Sequence, residues 1–374
     1  LPMLFEGTEV CWPARVKFYE MIGHVIGQSY TAQLRNWCRA HGGRFSGHYF
    51  GEEMLVDHVR SYGNMLSVQR QSDYPGMDIL ACWPEGYFPQ DAKYVQMAAR
   101  KCGSNGFMAE VCPFDNPEEF GKAPFDNLLA TMGLNYISGV RTTQSYAEAD
   151  FSAFGDGRFR DFLPRNQDMF GQVRKYFDRA QMRQLNAYVG RMGLLLDGLQ
   201  NQCTTVLYFG IEDVQAKYTP KHDCEVGAQA IGCDLATLRL LRAMLDEGRD
   251  FLFADAEDLT EIARTGRLGG EEIRRILLPG LDVIRPEALA ALRQLKKAGV
   301  CVLFAEKLPV FLFSIVLFSE RLSVFLFSIV LFFQSDPRFF FSSWRCFQNS
   351  IRFFFSPLSL FRNSSWFLFI HLFF

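Results

Sequence analysis

Three short apolar runs near the front of the chain each close on acids or a histidine, with helix-like stretches between them. The runs are Ser46-Gly47-His48-Tyr49-Phe50-Gly51-Glu52-Glu53, Tyr74-Pro75-Gly76-Met77-Asp78 and Met108-Ala109-Glu110. Each reads as a buried strand. Strands that alternate with helices and carry acids at their C-terminal ends describe the working rim of a (β/α) barrel.

Hydrophobic spacing fills in the organisation around them. Val16, Tyr19, Ile22, Ile26, Leu34 and Trp37 recur near the helical period, which predicts helix over 15–40, and Gly42-Gly43 supplies a stop. Strand-to-helix units are expected at Arg44 to Phe50, Gly76 to Ala81, Gly106 to Val111 and Tyr136 to Val140, with helices over Ala92 to Lys101 and Phe125 to Met132. Four such units are half of an eight-stranded barrel. Leu1 to Phe5 carries no initiator methionine, basic segment or signal core, so the chain is expected to be an internal piece whose other half-barrel lies upstream.

Beyond Gly155-Asp156-Gly157 a long helix is expected over Gln167 to Leu199. A second series follows: strands at Thr204 to Gly210, Phe251 to Ala254, Arg275 to Pro279 and Val300 to Phe304, and helices at Leu235 to Asp246 and Glu287 to Ala298. Its rhythm is that of a doubly wound α/β domain, and Gly248 and Gly299 fall where helix C-caps belong. The expected division is therefore a partial barrel over 1–200, an α/β domain over 201–304 and a tail over 305–374.

The tail differs in kind. Val310 to Phe318 recurs unchanged at Val324 to Phe332, and the rest is dominated by Phe, Ser, Leu and Arg without glycine. Its apolar runs fall well short of the roughly 20 residues a spanning helix needs. The tail reads as an out-of-frame or misassembled stretch rather than a natural fold, and a lipid-contacting tail is the alternative.

Composition narrows the partners. A formal net charge of −2 with interspersed signs gives no phosphate-binding surface, so nucleic acid is excluded as an expected partner. Ten cysteines without a C-x-x-C pair argue against a zinc cage or disulfide framework and favour a reducing compartment. Cytoplasmic residence fits that reading, with periplasmic or secreted residence open. Oligomeric state is not legible in the sequence.

The chemistry-bearing candidates sit at the strand ends. Carboxylates gathered on a barrel rim are the equipment of glycoside hydrolysis. Glu110 interrupts an apolar run, where an acid either performs chemistry or meets a partner such as Arg141. One of Glu52 and Glu53 points into the cleft as acid, base or metal ligand, unless both cap the helix beginning at Met54. His48 and Asp78 are read as binding sugar hydroxyls, with a buried ion pair or turn cap as the alternative for Asp78, and Arg141 and Gln144 belong to a polar run following the last strand of the series. In the second domain, Cys224, Cys233 and Cys301 lack the flanking glycines of a nucleophile elbow, so that domain is expected to be structural.

These segments resemble the α-L-rhamnosidases of glycoside hydrolase family 106. The resemblance is carried by Trp37-Cys38-Arg39-Ala40-His41-Gly42, Gly47-His48, Glu52-Glu53, Pro75-Gly76-Met77-Asp78 and Ala109-Glu110, and it covers roughly residues 1–304. Val206 to Asp213 resembles the opening strand of the amidotransferase-like domain that follows the barrel in such enzymes. The Asp-Glu-Pro strand end of relatives is absent from the chain, and Thr142-Thr143-Gln144-Ser145 replaces a more aromatic or histidine-bearing strand end. The resemblance implies a carbohydrate substrate, a calcium ion and an inverting mechanism. A glycosidase is thus the leading expectation, with α-L-rhamnosidase the specific activity the resemblance implies; a non-catalytic carbohydrate-binding relative and a membrane-associated protein are the alternatives.

Overall fold

The computed structural model describes residues 2–6, 8–79, 82, 89–112, 123–145, 178–199, 202–220 and 228–305, and residues 1–310 belong to one compact unit. The protein is α/β, built on two separate parallel sheets. The expectation for the tail and the part of the long helix before Asp178 fall outside the described residues.

After single turns at Pro2–Phe5 and Glu9–Cys11, helix α1 (Trp12–Ile26) runs through a wide π-type turn, Gly27–Thr31, into α2 (Ala32–Ala40). There follow β1 (Ser46–Gly47), α3 (Leu55–Tyr62), α4 (Met65–Gln69), β2 (Tyr74–Ile79), α5 (Pro89–Cys102), β3 (Phe107–Val111), α6 (Phe125–Ser138), β4 (Val140–Ser145) and α7 (Arg179–Leu196). The four strands stand side by side in chain order, β1-β2-β3-β4, all parallel.

The period of two along each strand sorts the side chains. Met77, Ile79, Ala109 and Val111 face one way and pack on Ala92, Val95 and Ala99 of α5 and Leu128 and Met132 of α6. Asp78, Glu110 and Gln144 share one cross-strand register on the opposite, more open face. Close approach between β1 and β2 requires Gly76: a Cβ there would lie 2.7 Å from Met108 and 2.9 Å from the Gly47 carbonyl oxygen.

One expected strand was misplaced. Tyr136 to Ser138 belongs to α6, whose buried Leu128, Thr131, Met132, Asn135 and Tyr136 keep the helical period to the end. Gly139, at φ 114°, stops the helix in a left-handed conformation, so the strand begins at Val140.

The second sheet is formed by β5 (Thr205–Tyr208), β6 (Leu252–Ala254), β9 (Arg275–Leu278) and β10 (Cys301–Phe304), with helices α8 (Ile211–Lys217), α9 (Ala228–Asp246), α10 (Ala256–Thr265) and α11 (Pro286–Lys297). A two-residue-per-strand hairpin, β7 (Arg267–Leu268) with β8 (Glu271–Glu272), lies between α10 and β9. Strand order is β10-β9-β5-β6, all parallel, so the order reverses beside β5 and both faces are covered. That is doubly wound topology. Helix α10 was not foreseen; Asp255 and Asp258 close it with a reciprocal capping box.

Every strand of the first sheet precedes residue 200 and every strand of the second follows it, yet the two share a core. Helix α5 is the common element. Its Ala92, Val95 and Ala99 face the first sheet, while Tyr94, Met97 and Ala98 pack with Phe209, Phe251 and Phe253 of the second. Lys93 pairs with Asp250, and Arg100 grips both oxygens of Asp258 at 2.9 and 2.7 Å.

Candidate functional site

Three successive strands deliver three side chains to one point. His48 follows β1 directly, Asp78 is the fifth residue of β2, and Glu110 is its cross-strand partner on β3. Their nearest ligating atoms all lie within 4.8 Å of one another, and all three residues are partly buried. His48 Nε2 is 2.7 Å from Glu110 Oε2. With Glu110 ionised, this bond requires Nε2–H to donate.

Asp78 carries the strongest electrostatic signature of the three. Burial pushes its carboxyl up to about 6; His48 opposes the shift, and the charges of Glu110 and Glu53 add to it. The Cys112 thiol, 3.7 Å from Oδ1, donates to the carboxylate. Two carboxylates so close hold one proton more readily than none, the logic of paired acids in general.

The two adjacent glutamates have separate fates. Glu52 is 3% exposed, and its two oxygens accept the backbone N–H groups of Tyr49 and Asp78, each at 2.8 Å. It neither faces a cleft nor caps a helix; α3 starts from Met54 without a side-chain cap. As a candidate catalytic group Glu52 is therefore replaced by a structural role, tying the loop after β1 to β2. Glu53 is half-buried, with its pKa raised first by burial and then by the charge of Asp57, against the pull of His48. It is the glutamate that neighbours the cluster.

Gln144 stands in register with Glu110 and is exposed. Arg141 is not brought to the site. It lies at the opening of β4, three strand residues before Gln144 or about 10 Å along the sheet, and donates to the Tyr136, Val140 and Leu199 carbonyls. The Glu110–Arg141 pairing is thereby corrected, because the strand starts where it was expected to end.

Sequence reasoning missed Asp91 and His58. Asp91, on the first turn of α5, is 3% exposed, and its Oδ1 has no hydrogen-bond partner among the described residues. Its carboxyl is raised by burial first and then by Glu53, Glu52 and Asp78. Read as sequence it is an ordinary first-turn acid. His58 is buried and pushed down to about 4, hence neutral, and its Nε2–H donates to the Glu52 carbonyl at 2.7 Å.

At the reversal point of the second sheet, Asp213 accepts the N–H groups of Asp282 and Val283 and the Lys217 ammonium, while Glu212 accepts from Tyr208 and from the Arg285 N–H. These carboxylates anchor loops.

Calcium, implied by the family resemblance, takes six to eight oxygens at roughly 2.3–2.6 Å. The described residues offer one imidazole and two carboxylates, with one carboxylate oxygen already bonded to the imidazole. This donor set does not fit calcium. No family model and no curated protein matches the chain. Among the described residues, no helix is long and apolar enough to cross a membrane.

Proposed function

We propose that the chain is a glycoside hydrolase, or the part of one that carries a run of barrel strands and a doubly wound supporting domain. The observation that carries this reading is the convergence of His48, Asp78 and Glu110 at the C-terminal ends of three successive parallel strands. Sequential strand order, with α5 and α6 packed on one face and the carboxylates on the other, is how a (β/α) barrel wall is wound. A doubly wound sheet would reverse its order instead. The second sheet does reverse, which agrees with an amidotransferase-like domain whose switch-point acids serve the fold.

The roles follow from spacing and protonation. Asp78 and Glu110 each bring a carboxylate oxygen within 4.8 Å of the other, which favours the roughly 5–5.5 Å spacing of a retaining pair over the wider spacing of an inverting one. Here the reading departs from the inversion that the resemblance implies. Asp78, whose carboxyl holds its proton up to about pH 6, gives that proton to the leaving glycosidic oxygen. Glu110, held by the His48 N–H, attacks the anomeric carbon and forms a glycosyl ester as the C–O bond breaks. Asp78, now ionised, takes a proton from the water that opens the ester and releases Glu110. Gln144 and Glu53 hydrogen-bond the ring hydroxyls.

The test is turnover of a panel of aryl glycosides, beginning with α-L-rhamnoside, with the first-formed product anomer read by NMR. Retention is expected, as is loss of turnover in Glu110→Gln with folding intact. Inversion would remove the nucleophile role from Glu110. Glycoside binding without turnover would favour a carbohydrate-binding relative.

A further inference from the structure

A cavity of about 260 Å³ opens directly beside the reacting cluster, between the end of β1 and the turn that joins α1 to α2. His48 forms part of its wall, so the cavity and the Asp78–Glu110 pair share a boundary residue. Most of the other lining residues are aromatic (Tyr30, Phe45, Tyr49, Phe50 and Tyr62), with Ile26 beside them and Gly47 adding bare backbone.

The walls are fixed by their own contacts. The Phe50 N–H donates to the Tyr62 hydroxyl at 3.1 Å, and Tyr62 meets the Tyr49 ring edge-on at 5.5 Å. Tyr49 is in turn anchored through its hydroxyl to Thr31 Oγ1, at 2.8 Å. Phe50, fixed through its backbone, keeps its ring 75% exposed, a large apolar surface beside the cavity. Tyr49 and Tyr62, held by these contacts before a ligand arrives, lower the cost of binding it.

Gly47 supplies an independent argument. A glycine within a strand weakens it and marks either tight packing or the approach of a ligand. Packing explains Gly76, where a Cβ would collide. It does not explain Gly47, where a Cβ would meet nothing within 4 Å. A side chain at Gly47 would meet open space, and Gly47 also lines the cavity.

We infer that this cavity is a ring subsite, binding the flat apolar face of the ring joined through the scissile oxygen to the sugar at Asp78 and Glu110. The inference rests on the hydrolase reading above. The volume lies below the roughly 300–1,000 Å³ of pockets for drug-sized ligands, so it suits one ring rather than a chain. Carbon-bound hydrogens on one face of a pyranose and the face of an aryl aglycone offer the same chemistry to these aromatics.

The experiment uses the full chain and two substitutions, Gly47→Leu, which fills the cavity, and Phe50→Ala, which removes an exposed wall. Methyl glycosides, aryl glycosides and disaccharides of the same sugar are compared, with turnover in one assay and ring contact in another by saturation-transfer NMR. Each substitution is expected to weaken the two-ring ligands at least tenfold more than the methyl glycoside. A loss confined to aryl glycosides assigns the subsite to an aglycone, and a loss confined to disaccharides assigns it to a sugar. Equal losses on all three ligands, or none, would overturn the subsite while leaving a turning-over hydrolase in place. Ring contact that depends on Gly47 without turnover of any glycoside would sink the hydrolase reading and keep the ring site. Absence of both turnover and ring contact would sink the two together.

Discussion

Glu52 accepts the backbone N–H of Asp78 across 26 residues of sequence, and so sets the height at which the Asp78 carboxyl leaves the sheet. Its other oxygen holds the Tyr49 N–H, next to His48. One buried side chain thus positions two members of the cluster without touching a substrate. Replacing it by glutamine substitutes a donor for one of two acceptors, leaving a buried N–H facing an N–H. Glu52→Gln is expected to lower stability by about 1–3 kcal/mol, the cost of an unsatisfied buried group, whereas Glu110→Gln, at a partly open position, leaves unfolding nearly unchanged. Urea titrations of the two variants separate these outcomes; equal stability would remove the strap role from Glu52.

The protonation of Asp78 gives turnover a direction in pH. Its carboxyl is held at about 6, and the proposed donor must be protonated. The kcat/KM for substrates with poor leaving groups is therefore expected to fall as pH rises through about 6. Asp78→Asn should remove that limb and spare kcat/KM for substrates whose leaving group needs no proton, while kcat on them falls because the ester then opens without its base. A profile that stays flat from pH 5 to 8 on an unactivated glycoside would take the acid role from Asp78.

What the sequence disclosed and what it concealed divide along physical lines. Apolar runs ended by acids marked β1 to β3, because burial in a parallel sheet writes itself into a short window, and the second series was legible for the same reason. The choice between Glu52 and Glu53 was hidden, since it depends on an N–H that only the fold brings near. Arg141 shows how one boundary propagates. Had the strand ended at Val140, Arg141 would stand on the rim; the strand begins there, and Arg141 lies at the opposite end. Asp91 carries no local mark, because an acid on the first turn of a helix is favoured whether or not it also faces other acids.

Helix α5 serves two sheets, and the Arg100–Asp258 pair fastens it to the second. Asp258 is 4% exposed, and Arg100 also donates to the Phe253 carbonyl at 3.0 Å. Removing one partner of a buried pair leaves an uncompensated charge. Arg100→Met is expected to cost about 3 kcal/mol in chemical denaturation, moderated by Lys101, which stays 3.2 Å from Asp258. Adding Asp258→Asn should recover part of that loss. A double variant no more stable than Arg100→Met would mean that the lost contact is packing and not charge.

Asp234 gives stability itself a pH dependence of unusual sign. It is fully buried, accepts the Val56 N–H at 3.0 Å, and is pushed up to about 7 by burial, against the backbone hydrogen bonds it receives. In the unfolded chain it titrates near an ordinary aspartate value of roughly 3.9. Between these values the folded protein keeps a proton that the unfolded chain has released. The contribution of Asp234 to stability is therefore whole below about pH 4, declines with rising pH by about 1.4 kcal/mol per unit, and levels off above about 7. Asp234→Asn cannot ionise and should flatten this decline, so that variant and wild type differ most in slope between pH 4.5 and 6.5. Glu212, raised to about 7 by burial, adds a decline of the same sign that the substitution leaves in place. Urea midpoints across that range measure the difference, and parallel slopes would show that Asp234 is ionised inside the folded protein throughout.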